Sequence, residues 1–365
     1  MSGDLRGSVD RDAVLIRRQE RAGRITLNRP RSFNLLTRAM VRAIHAALDL
    51  WRDDPEVELL VIDAEGRAFC AGGDIREVHS QVIAGNVAAA REQIRDEYRL
   101  DLKLARYPKP VVAIMNGAVM GGGVGLGCHA GHRVAGERFQ LSLPECSIGW
   151  IPDSGATALL ARTPCGVGEL MALAGLQIDG ADALDLGFVD YTMDDSRCRD
   201  VIDTLCATGE PAVLGIHSTP TGKPGLRDKV GRLRVSAPVD TPVALTQALE
   251  RAGKAPEMAD WCAKQLTALA RGAPLAQALA LRALEAQRQR PGLARALALE
   301  LRIVSALVRH PDFREGIRAM MIERDRKPVW ISPAGTVFSR AETDPFLRRA
   351  DTRNVIRKFT EDPAK

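Results

Sequence analysis

The chain has no run of about 18 apolar residues, so no segment qualifies as a membrane-spanning helix. Its first dozen residues mix Asp4, Asp10 and Asp12 with Arg6 and Arg11 and lack an apolar core, which argues against a secretory signal and weakens a transit-peptide reading. Neither sign of charge dominates: 51 Lys and Arg face 46 Asp and Glu, net +5, interleaved along most of the chain. That is the texture of a solvated surface rather than of a nucleic-acid stripe. No C-x-x-C occurs. The seven cysteines (Cys70, Cys128, Cys146, Cys165, Cys198, Cys206 and Cys262) are odd in number and scattered, which implies reduced thiols in an intracellular protein, with the cytoplasm as the expected location. Cys70 and Cys146 flank candidate site residues, but both read as small buried thiols.

Several catalytic and nucleotide signatures are also missing. A dinucleotide fingerprint G-x-G-x-x-G fails from Gly121, where the sixth residue is Leu126, and from Gly123, where it is Cys128. A Walker P-loop needs Gly-Lys followed by Ser or Thr, and Gly222-Lys223 is followed by Pro224. No G-x-S-x-G nucleophile elbow is present. His129 and His132 are three residues apart without a matching third ligand, so they read as core or surface histidines and no metal is expected.

What is present is enough chain, 365 residues with 45% apolar content, for one large domain or two ordinary ones. Val14-Leu15-Ile16 and Ile25-Thr26-Leu27 predict two strands turned at Gly23. Thr37 predicts a helix cap before Met40, Ile44, Ala47, Leu48 and Trp51 at helical spacing. Leu59–Ile62 and Val111–Met115 predict buried strands, Arg133–Ala135 and Phe139–Leu141 shorter ones, and Phe188–Asp190 a last one. The repeating unit is strand, strand, helix. Pro and Gly punctuate residues 208–243, which read as a linker or irregular excursion. Ala/Leu-rich helices follow. The expected divisions are a core at 12–207, the excursion, a helical region at 244–332 and a polar tail at 333–365.

The richest stretch runs from Val111 to Asp153. After the apolar strand comes Met120-Gly121-Gly122-Gly123-Val124-Gly125-Leu126-Gly127, then Pro144-Glu145 and Pro152-Asp153. Glycines let backbone approach a ligand closely, and a helix start offers unpaired N–H groups and partial positive charge. The physical reading is an oxyanion hole for a thioester carbonyl or an enolate, with a second donor from the loop around Gly73. One well-aimed donor lowers such a barrier by roughly 3–4 kcal/mol. The plainer alternatives are tight helix–strand packing for the glycines, a helix-entry or surface role for Glu145, an N-cap role for Asp153 near Ala156, and a solvated face for Glu97.

Three segments together resemble the crotonase (enoyl-CoA hydratase/isomerase) superfamily: Asn28-Arg29-Pro30 with Asn34-Leu35-Leu36, the loop Cys70-Ala71-Gly72-Gly73-Asp74-Ile75, and the run at 120–127. Its thioester-hydrolase branch is resembled through Arg76 after that loop, through Pro144-Glu145, Ile148-Gly149 and Pro152-Asp153-Ser154-Gly155, and through Asp312–Ala319 with Lys327-Pro328-Val329-Trp330. The resemblance spans roughly residues 12–332 and implies an α/β fold, a crotonase-like spiral of strand-strand-helix repeats with a helical C-terminal region. By the same resemblance the Gly73 and Gly122 N–H groups form the oxyanion hole and the Ala71 carbonyl meets the adenine of coenzyme A. Glu145 and Asp153 are the catalytic carboxylates, and Glu97 contacts the substrate.

Hydratases of the superfamily carry a second carboxylate at the position of Gly125, which cannot supply one. The expected reaction is therefore hydrolysis of a short 3-hydroxyacyl-CoA thioester, with 3-hydroxyisobutyryl-CoA of valine breakdown as the expected substrate. Glu145 serves as nucleophile or as general base to water, and Asp153 holds the substrate hydroxyl or the water. The alternatives are hydration or isomerisation of an enoyl-CoA and acyl-CoA binding without turnover. Coenzyme A enters as part of the substrate. No separate cofactor, nucleic acid or membrane is implied, and a homo-oligomer is expected.

Overall fold

The computed structural model describes residues 12–219, 222–235 and 239–348. In chain order, β1 (Val14–Gln19) and β2 (Ala22–Leu27) lead to α1 (Arg38–Arg52), β3 (Leu59–Ala64), β4 (Ala68–Cys70), α2 (Ile75–Ile83) and α3 (Val87–Ala105). Next come β5 (Val111–Met115), β6 (Ala118–Val119), α4 (Gly122–Gly127), β7 (His132–Gly136) and β8 (Gln140–Leu141). They are followed by α5 (Ala156–Leu160), α6 (Val167–Ala174), β9 (Ile178–Asp179), α7 (Gly180–Asp185), β10 (Tyr191–Met193), α8 (Asp195–Thr208), α9 (Val213–His217) and α10 (Leu226–Gly231). The remainder is helical: α11 (Pro242–Ala252), α12 (Pro256–Ala270), α13 (Pro274–Gln289), α14 (Leu293–Leu307), α15 (Pro311–Ile317) and α16 (Arg340–Leu347).

These elements form two units, each discontinuous in sequence. Among the described residues, the first comprises 12–74, Asp96–Leu141 and 178–224. It holds a six-stranded sheet in the order β1-β2-β3-β5-β7-β10 and a four-stranded one in the order β4-β6-β8-β9. Only the β1–β2 and β8–β9 pairs are antiparallel. Successive strands alternate between sheets: β3 then β4, β5 then β6, β7 then β8. This is the strand-strand-helix spiral that the sequence predicts. The parallel strands are apolar on both faces, as β3 and β5 show, because both faces are covered. One face packs Leu59, Val61, Val112, Ile114 and Val134 against Val201, Ile202 and Leu205 of α8 and Leu214 of α9. Each such side chain contributes about 1.5–3 kcal/mol by leaving water.

Among the described residues, the second unit comprises Ile75–Arg95, Ser142–Gln177 and 225–348. Its α13 packs on α5, α6 and α14, and α12 packs on α6 and α11. The Ala/Leu-rich helices expected here are present, and α15 follows them.

Local expectations fare unevenly. Thr37 does cap α1, its hydroxyl accepting from Met40 N at 3.2 Å, and Met40, Ile44, Ala47, Leu48 and Trp51 are buried. Gly23 is not the hairpin turn. It pairs with Arg18 inside the ladder, and the turn falls at Glu20-Arg21, with Glu20 at φ 50°. Gly23 is there because Trp51 leaves no room: a Cβ would lie 2.7 Å from Trp51 Cδ2. The last strand starts at Tyr191, beyond Phe188–Asp190. The 208–243 excursion contains α9 and α10. Within it residues 220, 221 and 236–238 lie outside the described residues, as do residues 349–365 of the expected tail.

Gly23→Ala should destabilise the protein by about 1–3 kcal/mol, the usual range for overpacking a rigid site. Urea unfolding measures this, and an unchanged midpoint would refute the close approach of Trp51.

Candidate functional site

In the first unit the loop after β4 is laid along Leu36. Leu36 N donates to Gly72 O at 2.9 Å and Asp74 N donates to Leu36 O at 2.8 Å. This isolated parallel bridge pairs Leu36 with Gly73. In such a bridge the neighbours of Gly73 make the bonds, so the N–H of Gly73 itself points to the opposite side. Gly72, at φ 105°, allows the bend. Ala71 is half-buried and tied by its N–H to Phe33 O at 3.0 Å.

Gly122 opens α4. The first backbone bonds of that helix come from Gly123 N to Met120 O and from Val124 N to Gly121 O, both 2.8 Å. The Gly122 N–H precedes them, among the donors that a helix start leaves outside its own ladder. A Cβ at Gly122 would lie 3.2 Å from Gly73 N, so the two backbone stretches are neighbours. The structure thus brings together the two glycines that the sequence pairs.

Glu97 joins them. Its carboxylate fills the space a side chain would need at both glycines: a Cβ at Gly73 would fall 2.7 Å from Oε2, and one at Gly122 would strike Oε1. Glu97 is half-buried on α3 rather than on a fully solvated face. One turn later on the same helix is Asp101, 0% exposed. A Cβ at Gly125 would overlap its carboxylate, with Oδ2 2.6 Å away. Carboxylates four apart on α3 therefore meet glycines three apart on α4. Sequence reasoning missed Asp101, although its i,i+4 spacing from Glu97 was the available signal. Cys70, behind the same loop, has its thiol pushed up to about 12 by burial, with the charges of Glu97 and Asp101 adding to the rise. It stays protonated, as the sequence reading of an inert buried thiol expects.

The second unit holds the other two candidates. Glu145, 8% exposed, starts a 3-10 turn that runs to Ile148. Its backbone carbonyl accepts from Trp150 N at 3.1 Å. Cys146 next to it is raised well above an ordinary thiol by burial, and the Glu145 charge adds to that. The turn rests on α15: a Cβ at Gly316 would lie 2.5 Å from Ile148 Cα, and the Phe313 ring is 5.0 Å from that of Trp150. The late motif Asp312–Ala319 is therefore a support for the Glu145 turn.

Asp153 is not the helix cap that one sequence reading allowed. Its Oδ2 accepts from Trp150 Nε1 at 2.8 Å, and the N-cap of α5 is Gly155 at φ 79°. The capping acceptor comes from far along the chain. Glu300 of α14, 0% exposed, accepts from Gly155 N at 2.8 Å, Thr157 N at 3.0 Å and Thr157 Oγ1. Burial pushes its carboxyl up to about 7 against the pull of those three donors, and the Asp153 charge adds to the rise. No local pattern marks Glu300, which sits among the apolar residues of a helix.

Gly125→Ala should destabilise the protein by about 1–3 kcal/mol. The penalty should shrink in an Asp101→Ala background. A double-mutant cycle read by urea unfolding checks this, and strict additivity would show that the two positions do not touch.

Comparison with known proteins adds a second line of observation. The model of the enoyl-CoA hydratase/isomerase family matches residues 22–347. A chicken (Gallus gallus) protein named 3-hydroxyisobutyryl-CoA hydrolase, mitochondrial, is 33% identical over 87% of this chain and 84% of its own length. An Arabidopsis thaliana protein named 3-hydroxyisobutyryl-CoA hydrolase 1 is 32% identical over 87% of this chain and 86% of its own. A solved structure described as an enoyl-CoA hydratase from Rhodobacter sphaeroides 2.4.1 superposes with a TM-score of 0.84 at 43% identity, covering 94% of this chain and 98% of that one.

Proposed function

The chain belongs to the enoyl-CoA hydratase/isomerase family, and from that premise we propose that it is an acyl-CoA thioester hydrolase acting on a short 3-hydroxyacyl-CoA, with 3-hydroxyisobutyryl-CoA as the first substrate to test. The observation that carries the reading is the arrangement at Gly125. The position where the family's hydratases place a second carboxylate has no side chain, and the space beside it is already filled by the Asp101 carboxylate, which is buried. The relatives named as hydrolases, matched along most of their length, support the same choice.

In the proposed reaction the Glu145 carboxylate attacks the thioester carbon. The carbonyl oxygen takes up the negative charge and is received by the N–H groups of Gly73 and Gly122, a sink whose single donors typically count for roughly 3–4 kcal/mol. Collapse breaks the C–S bond, releases coenzyme A thiolate and leaves an anhydride on Glu145, which water opens to the free acid. In the general-base variant Glu145 instead takes a proton from the attacking water. Asp153 holds the substrate 3-hydroxyl or the water, and Glu97, set against both glycines, contacts the substrate beside them. The Ala71 carbonyl receives the adenine of coenzyme A. Neither Cys70 nor Cys146 competes as nucleophile, because burial keeps both as thiols. The proposed reaction calls for no metal or redox group, and coenzyme A enters as part of the substrate.

Hydration of an enoyl-CoA is the second reading. It is favoured by the likeness to the Rhodobacter structure. Among the described residues no helix is long and apolar enough to cross a membrane. A homo-oligomer and a cytoplasmic location complete the proposal, although the chicken relative is named mitochondrial.

A screen of short acyl-CoA esters with and without a 3-hydroxyl should give thiol release with the hydroxylated ones. Glu145→Gln should lower that rate by on the order of 10²–10⁴. Wild-type thiol release in the variant would overturn the role of Glu145. Loss of enoyl absorbance without thiol release would favour hydration.

A further inference from the structure

Asp153 is proposed to act on the substrate, yet its backbone sits in an awkward place. Ser154 at φ 54° and Gly155 at φ 79° follow it, two consecutive residues in the left-handed region, and Ser154 is not a glycine. Such a turn persists only when its surroundings hold it. The helix it leads into, α5, has five residues and no side-chain cap of its own. What holds the turn is Glu300, 145 residues away. One carboxylate oxygen accepts from Gly155 N, and the other accepts from Thr157 N and from the Thr157 hydroxyl. The other end of Asp153 is held by the Trp150 indole.

We propose that Glu300 is a positioning residue for Asp153: its carboxylate, clamped on Gly155 and Thr157, fixes the turn that aims Asp153, and it does so in the ionised form. The reason is the donor count. Each oxygen of Glu300 already faces a backbone N–H, and a backbone N–H cannot become an acceptor. A proton on Oε2 competes with the Gly155 N–H, a proton on Oε1 has to be given to the Thr157 hydroxyl, which then stops donating, and in either case charge-assisted bonds to the turn become weaker neutral ones. A glutamine at 300 carries the same conflict permanently.

The other charged groups around α14 have partners of their own. Around α14, Arg282 of α13 pairs with Glu285 and with Asp344 of α16, and Arg288 pairs with Glu169 of α6. Arg340 of α16 pairs with Glu285, and Glu342 caps its own helix through Ser339. On α14 itself, Arg295 donates to Pro291 O and Arg302 to Ala298 O and Leu347 O. Asp153 is the charge that acts on Glu300, and it raises the Glu300 carboxyl, as burial does more strongly, to about 7. Protonation below that point weakens the clamp, and ionisation above it strengthens the clamp. Activity that depends on the turn therefore rises with pH through neutrality.

This inference rests on the hydrolase reading for its kinetic test, so the experiment has two readouts. The first is kcat/KM for thiol release from a 3-hydroxyacyl-CoA across the neutral pH range. Wild type should show a rising limb with a midpoint near the carboxyl value of about 7. Glu300→Gln should be roughly 10- to 100-fold lower, the scale of a misplaced catalytic group, with that limb lost. Thr157→Val removes one donor that favours the ionised form, so its midpoint should move up, while Thr157→Ser should keep it. The second readout needs no turnover: the backbone 15N shifts of Gly155 and Thr157 and the indole 15N shift of Trp150 should titrate together in wild type and stay flat in Glu300→Gln. A Glu300→Gln enzyme with wild-type kcat/KM and midpoint overturns the proposal. If Glu300→Gln does not fold, an unmoved midpoint in Thr157→Val overturns it instead. Shifts that titrate in a wild-type protein releasing no thiol would sink the hydrolase reading and leave the clamp standing. Shifts that do not titrate would sink the clamp whatever the activity.

Discussion

The first unit depends on a close approach that side chains would forbid. Helix α3 brings the carboxylates of Glu97 and Asp101 into the volume where Gly73, Gly122 and Gly125 would carry Cβ atoms. Three consequences follow from that one contact. The two N–H groups proposed as oxyanion donors belong to backbone stretches that lie side by side. Acidic groups are held beside them at fixed helical intervals. The Cys70 thiol, enclosed behind the loop, is denied ionisation both by burial and by those negative charges. Any side chain added to these glycines has to displace one of those carboxylates.

In the second unit the same problem, holding reactive groups still, is solved by long-range support. The segment from Glu145 to Asp153 has little regular structure beyond one 3-10 turn. It is stiffened by Trp150, whose N–H groups reach both candidates: the backbone N–H to Glu145 O and the indole to Asp153. Trp150 in turn packs on Phe313 of α15, and Glu300 of α14 secures the turn beyond Asp153. The helical C-terminal region thus has a task within its own unit. Its residues clamp the segment that carries the proposed carboxylates, so loss of those helices would disorder Asp153 without touching its sequence neighbourhood.

Much of this was legible in the residues. The strand-strand-helix rhythm is there because apolar runs and helical spacing are local signals, and α1 with its Thr37 cap follows them closely. The pairing of Gly73 with Gly122 could be anticipated from glycine chemistry and from the resemblance together. What escaped was set by contacts between distant residues. Gly23 reads as a turn because turns favour glycine, but Trp51 determines it. Asp153 before a short helix reads as an N-cap, but Glu300 supplies the acceptor and frees Asp153 for the indole. Asp101 and Glu300 are ordinary acids in ordinary helices by pattern. Only their burial and their partners distinguish them.

Asp101 also shows why hydrolysis and hydration lie so close in this architecture. Both reactions build negative charge on the thioester oxygen, as a tetrahedral adduct or as an enolate, and both can use the same pair of backbone donors. The difference is the placement of carboxylates around that sink. A carboxylate on α4 at Gly125 would project from the same short helix as the donor N–H of Gly122. Here the acid arrives from α3 instead, fully buried and backed against α4. A group so enclosed shapes the packing and the field around the glycines without a surface to hold water, whereas an acid that activates water has to touch it. Glu145 and Asp153 are then the carboxylates proposed to carry the chemistry, and the missing side chain at Gly125 gains a structural cause: the place beside it is taken.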